Sequence, residues 1–130
     1  MTPKKSLSDI SILIAEDNLV NQLLMRKVIE KTGMKVDVAA NGLQVLEKLN
    51  LSDSNYDVIL MDFQMPEMDG LEATEKIIQS YGVNRPLIFG ITAGSFDDDE
   101  TKFLSSGMDA KLNKPFKASE LIELLTEKGI

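Results

Sequence analysis

Four apolar residues in unbroken succession, Val58, Ile59, Leu60 and Met61, stop abruptly on the carboxylate of Asp62. A run this short with no polar alternation is the pattern of a strand buried on both faces. Pro66 and the Asp69-Gly70 pair then make the segment beyond Asp62 a turn rather than a continuing strand. In an open parallel α/β sheet, ligands bind in the crevice beyond the carboxyl ends of the strands. Asp62 is a candidate site residue by position alone.

The rest of the chain alternates in the same way. Ile10 to Ala15 reads as a first strand and stops on Glu16-Asp17. Asn18 caps a helix in which Val20, Leu23, Leu24 and Val28 recur at helical spacing, and Thr32-Gly33 ends it. Lys35 to Ala39 alternates, as a partly exposed edge strand does. Asn41-Gly42 fits a hairpin, but Leu43, Leu46 and Leu49 follow at helical spacing and favour a loop into a second helix. After a polar connection from Leu51 to Tyr56, the third strand, Asp57 to Asp62, leads to a helix from about Gly70 to Tyr81, with Leu71, Thr74, Ile77 and Ile78 inward.

A fourth apolar run, Leu87 to Ile91, ends on Thr92-Ala93-Gly94. The next helix is expected from near Asp97 to Ser106, where three consecutive aspartates suit the positive end of the helix dipole. Its apolar face is thin, little more than Phe96, Phe103 and Leu104, so it is expected to be the least firmly held element. Asp109 to Leu112 makes a short fifth strand, and Ala118, Leu121, Ile122 and Leu125 mark a final amphipathic helix. Runs one, three and four are apolar throughout and belong in the centre of a sheet, whereas two alternates and five is short. The expected fold is α/β: a single doubly wound, five-stranded parallel sheet of order 2-1-3-4-5 with five helices, the flavodoxin-like arrangement. Residues 1–9 read as a polar lead and 10–128 as one domain.

Composition narrows the chemistry. The 130 residues fit one domain that buries roughly two thirds of its unfolded surface. A formal net charge of -7 argues against direct binding to nucleic acid or an anionic membrane. The chain has no cysteine and no histidine, which removes thiolate chemistry and the commonest general base and metal ligand. No apolar run forms a signal core or a membrane span, so a soluble, cytoplasmic protein is expected.

Parallel strands gather Glu16-Asp17, Asp62, Thr92 and Lys114 on one rim. Taken singly, each is as readily a capping acid, a loop residue or a surface charge. Their joint placement is harder to attribute to chance. Three carboxylates about 5 Å apart repel by roughly 3 kcal/mol per pair at an effective dielectric near 20. Lys114 neutralises part of that charge, and a hard divalent cation with oxygen ligands, Mg2+, suits the rest. A carboxylate nucleophile beside such a metal is fitted to accept a phosphoryl group as an acyl phosphate. In that scheme Asp62 attacks, Glu16 and Asp17 hold the metal, and Thr92 and Lys114 contact the phosphoryl oxygens.

From about Ile10 to Leu125 the chain resembles the receiver domains of two-component response regulators. The resemblance rests on ILIAEDN, LMDFQMPEMDG, the ITA after strand four and NKPF, in this order and spacing. It implies that Asp62 is the phosphoacceptor and that Asp17, Asp62 and the backbone carbonyl of Gln64 bind Mg2+, with Glu16 supporting the metal through water. It implies that Thr92 and Lys114 contact the phosphoryl group and that the Lys114-Pro115 peptide is cis. It further implies a histidine kinase or histidine phosphotransfer protein as phosphodonor, followed by slow self-catalysed hydrolysis. The VNQ after the acidic pair looks more like receivers of hybrid histidine kinases, and a stand-alone regulator is the alternative. Output is expected through the face formed by the Asp97–Ser106 helix, the fifth strand and the last helix, with that helix moving on phosphorylation.

One position departs from the family: Lys111 stands where receivers usually carry Tyr or Phe, three residues before the site lysine. A cation is costly to bury, so Lys111 is expected to point to solvent. A metal-dependent phosphatase needs a second acid near Asp62, and Gln64 does not supply one. A flavin carrier of the same topology needs a hydroxyl- or glycine-rich loop where this chain has Glu16-Asp17. A receiver that binds without being phosphorylated is disfavoured because all five site groups are present.

Overall fold

A computed structural model describes residues 6–51, 55–63, 65–92, 103 and 105–130. Five strands form one sheet: β1 (Ser11–Ala15), β2 (Lys35–Ala39), β3 (Val58–Asp62), β4 (Leu87–Thr92) and β5 (Ala110–Asn113). All pairings are parallel, and the order is β2-β1-β3-β4-β5. Four α-helices lie among the described residues: α1 (Leu19–Glu30), α2 (Gly42–Leu49), α3 (Gly70–Tyr81) and α4 (Ala118–Glu127). Most of the helix expected from Asp97 to Ser106 falls outside the described residues. Of its span, Phe103, Ser105 and Ser106 are described as helical, and Gly107 follows at φ 89°.

The two-sided burial of the central strands is visible in alternation along β1. Ile12 and Ile14 join Met25, Ile29, Leu121 and Leu125 in the core on the α1 and α4 side. Leu13 and Ala15 join Val45, Ile59, Met61, Ala73 and Ile77 on the α2 and α3 side. Every residue of β3 is buried, as a strand with helices on both faces requires. Asn41 is a helix cap rather than half of a hairpin: its side chain accepts from the Gln44 N–H at 2.9 Å.

Helix α1 is rotated from the sequence expectation. Leu19, Val20, Leu23 and Leu24 are 68%, 63%, 54% and 58% exposed, whereas Met25 and Ile29 are buried. Val20, Leu23, Leu24 and Val28 and the set Met25, Val28 and Ile29 are both helical stripes, one residue step of about 100° apart. Packing against the sheet selects the second and leaves Val20, Leu23 and Leu24 facing outward, with Val28, common to both, partly buried. In α3, Ala73, Thr74 and Ile77 are fully buried while Leu71 and Ile78 are partly exposed, so the inward stripe is shifted there too.

Candidate functional site

β1 and β3 are neighbours in register, Ala15 opposite Met61, so the residues that follow them emerge side by side. Glu16 is 1% exposed and Asp62 9%, whereas Asp17 is open to solvent. Carboxylate oxygens of all three lie within 4.8 Å of one another. The β1–α1 turn is tied down on both sides. The Glu16 N–H donates to the Ala39 carbonyl at 3.0 Å, and the Asn18 N–H donates to Glu16 Oε2 at 3.0 Å. Asn18 then caps α1 by accepting from the Asn21 N–H at 2.9 Å.

Opposite the acids stands one cation. Lys114 Nζ donates to Glu16 Oε1 at 2.5 Å and to Asp62 Oδ2 at 3.1 Å. Its backbone N–H donates to the Thr92 carbonyl at 2.8 Å, which joins the end of β4 to the turn after β5. Thr92 is itself buried, and the Lys114-Pro115 peptide is cis. The structure thus brings Glu16, Asp17, Asp62 and Lys114 together, with Thr92 on the adjoining strand end. Gln64 lies outside the described residues.

Burial by itself raises the Glu16 carboxyl; hydrogen bonds from Lys114 and the Asn18 N–H, with the lysine's charge, outweigh it and hold the group below its ordinary 4.5. Burial likewise works against the Lys114 ammonium, but its bond to Glu16 and the charge of Asp62 hold it above its ordinary 10.5. The signs of the two contributions follow. Glu16 adds stability that is full above 4.5 and is lost as pH falls through its lower folded value. Lys114 adds stability that is full below 10.5 and is lost as pH rises through its higher folded value. In EDTA, the melting temperature should therefore drop at acid pH in wild type and drop less in Glu16→Gln. Identical acid limbs in the two proteins would remove Glu16 from this role.

The three carboxylates offer oxygen ligands only, on a rim where Lys114 leaves part of the negative charge uncompensated. That donor set fits a hard divalent cation.

Lys111 does not simply point to solvent. It is partly buried on β5, and its ammonium sits 5.8 Å from the centre of the Phe103 ring, a cation–π distance. The long apolar stem and the ring face together let a cation occupy this position. Among the described residues no helix is long and apolar enough to cross a membrane.

A family described as the response regulator receiver domain matches residues 12–126. A hybrid signal transduction histidine kinase K of Dictyostelium discoideum is 42% identical over 119 residues, covering 86% of this chain and 10% of that protein. A histidine protein kinase 1 of Candida albicans is 40% identical over 126 residues, covering 91% of this chain and 5% of that protein. The chain thus spans a tenth or less of these relatives' lengths. Among solved structures, the receiver domain of a sensor histidine kinase from Pseudomonas aeruginosa superposes with a TM-score of 0.80 at 35% identity, covering 91% of this chain and 95% of that one; it holds a magnesium ion in its active-site cleft. Sheet order, acid rim and these matches converge, and the chain belongs to the response regulator receiver domain family.

Proposed function

We propose that this receiver takes a phosphoryl group onto Asp62 from a phosphohistidine of a partner protein, and that it needs Mg2+ to do so. The observation that carries the reading is the convergence of Glu16, Asp17 and Asp62 within 4.8 Å, with Lys114 bonded to two of them. Glu16, Asp17 and Asp62, with the Gln64 carbonyl implied by the family resemblance, would hold the cation. When bound, Mg2+ supplies positive charge beside the transferring phosphoryl oxygens.

In the transfer, an Asp62 carboxylate oxygen attacks phosphorus, the phosphorus–nitrogen bond breaks, and its electron pair returns to the donor imidazole. Lys114 then exchanges a carboxylate partner for a phosphoryl oxygen, and the Thr92 hydroxyl, at the end of the adjacent strand, is a second donor to it. Slow reversal to the free acid follows when water attacks phosphorus, releasing inorganic phosphate and restoring the carboxylate. No second acid within the site is assigned to speed this step.

The outward face of α1 supports a protein as the donor. Leu19, Val20, Leu23 and Leu24 stand exposed on the helix that begins just after Asp17. Leu24 also lines a groove of about 420 Å³ with Asn21, Met25, Val28, Lys114, Pro115 and Phe116. Lys114 both lines that groove and bonds Asp62, so the exposed apolar face of α1 adjoins the site and offers a donor protein a surface to rest on. A small phosphodonor has no use for such a surface. Replacing Leu23 and Leu24 together by Asp should slow transfer from a phosphorylated histidine phosphotransfer domain by about tenfold or more, the effect of losing central apolar anchors. Phosphorylation by acetyl phosphate should not change. Equal rates from both donors in variant and wild type would contradict the reading.

A further inference from the structure

We propose that Gln22 is a positioning residue for the acid pair: its side-chain amide fixes the β1–α1 turn so that Asp17 and Glu16 face Asp62. This rests on the reading of the rim as a divalent-cation site. Gln22 Nε2 donates to the Glu16 backbone carbonyl at 2.6 Å, reaching back from α1 across the turn that carries the acids. The Gln22 backbone is itself held, because its N–H donates to the Asn18 carbonyl at 2.9 Å.

The carbonyl that Gln22 holds belongs to the Glu16–Asp17 peptide. Fixing one end of a planar peptide fixes the direction in which the next residue leaves it. Asp17 is the exposed member of the cluster, so packing does not orient it as it does Glu16 and Asp62. The flanking bonds, Glu16 N–H to Ala39 and Asn18 N–H to Glu16 Oε2, anchor the strand end and the Glu16 side chain. Among the described residues, the Gln22 bond is the one that acts on the peptide between the two acids. It is not needed to start the helix, since Asn18 already caps α1.

The same kind of bond occurs one crossover away, where it serves as an internal control. Gln44 Oε1 accepts from the Ala40 N–H at 2.8 Å at the β2–α2 junction, and no cation-binding acid depends on it. Gln22→Met and Gln44→Met each remove one side-chain-to-backbone bond and keep a long helix-compatible side chain.

The experiment measures Mg2+ dissociation constants by calorimetry for wild type and both variants. Urea midpoints, amide spectra and the acetyl phosphate rate at saturating Mg2+ are recorded alongside. Gln22→Met is expected to weaken Mg2+ binding by about tenfold, the low end for loss of a group that orients metal ligands. Its rate at saturating Mg2+ should stay within about twofold of wild type, because the nucleophile and Lys114 are untouched. Gln44→Met should leave the Mg2+ constant unchanged while shifting the urea midpoint by a similar amount. Equal Mg2+ constants for a folded Gln22→Met and wild type, or equal weakening in both variants, would overturn the role of Gln22. Failure of wild type itself to bind Mg2+ would instead overturn the cation reading beneath it.

Discussion

Asp62→Asn forms no phosphoryl adduct when incubated with acetyl phosphate and Mg2+, while it folds as wild type does. The amide has nearly the shape of the carboxylate, so the buried pocket beyond β3 is not emptied. What is lost is the nucleophile, and with it one of the three charges within 4.8 Å. Removing one of three mutually repelling acids does not cost stability in the absence of a cation, and Lys114 keeps its bond to Glu16. The expected change is therefore complete in chemistry and small in folding. Intact mass reads the first and urea unfolding the second. A persisting adduct in a folded variant would move the phosphoryl group to another side chain.

The largest stability effect near the site is expected at a position that carries no chemistry. A β-carbon on Gly70 would lie only 2.0 Å from the backbone carbonyl oxygen of Asp62, with that residue's carbonyl carbon and Met61 Cγ each at 2.9 Å. The first of these atoms is backbone of a central strand and cannot swing aside. Retreat of α3 is opposed as well, because the Gly70 N–H donates to the Phe63 carbonyl at 3.1 Å and Asp69 caps the helix by accepting from the Glu72 N–H at 2.8 Å. Gly70→Ala is expected to destabilise by about 3 kcal/mol, the upper end for overpacking a close-packed site. It should also slow adduct formation, since any relief displaces the end of β3 that presents Asp62. A change within about 0.5 kcal/mol by urea unfolding, the scale of an ordinary surface substitution, would contradict the close approach.

The sheet was readable in the chain because burial on both faces writes itself as an unbroken apolar run. Val58 to Met61 and Leu87 to Ile91 announce central strands, and the alternation of Lys35 to Ala39 announces an edge. The acid rim was readable for a related reason: parallel strands put their carboxyl ends together, so Glu16, Asp17 and Asp62 are neighbours as soon as the order is known. Helix phase was not readable in α1. Two apolar stripes overlap there, and only packing against the sheet decides that Met25 and Ile29 go inward and that Leu23 and Leu24 face out. Ala73 is hard to read as core because its small side chain gives a weak apolar signal, yet it is fully buried in the cluster that holds Val45 and Ile77, where α3 comes close to Gly42 of α2. Charge alone sends Lys111 to solvent; the ring of Phe103 beneath its ammonium, distant in sequence from the site lysine's turn, is what gives it a place on β5. Gln22 stands in the sequence only as part of the VNQ after the acidic pair; its positioning role appears when its amide is seen reaching the Glu16 carbonyl.

The central claim, Mg2+-dependent acceptance of a phosphoryl group by Asp62, is tested most directly by intact mass and peptide mapping. The wild-type chain is incubated with acetyl phosphate, once with Mg2+ and once with EDTA. A single adduct that forms only with Mg2+ and maps to the peptide containing Asp62 is the predicted result. An adduct that forms equally well in EDTA, or one carried by a peptide without Asp62, would contradict it.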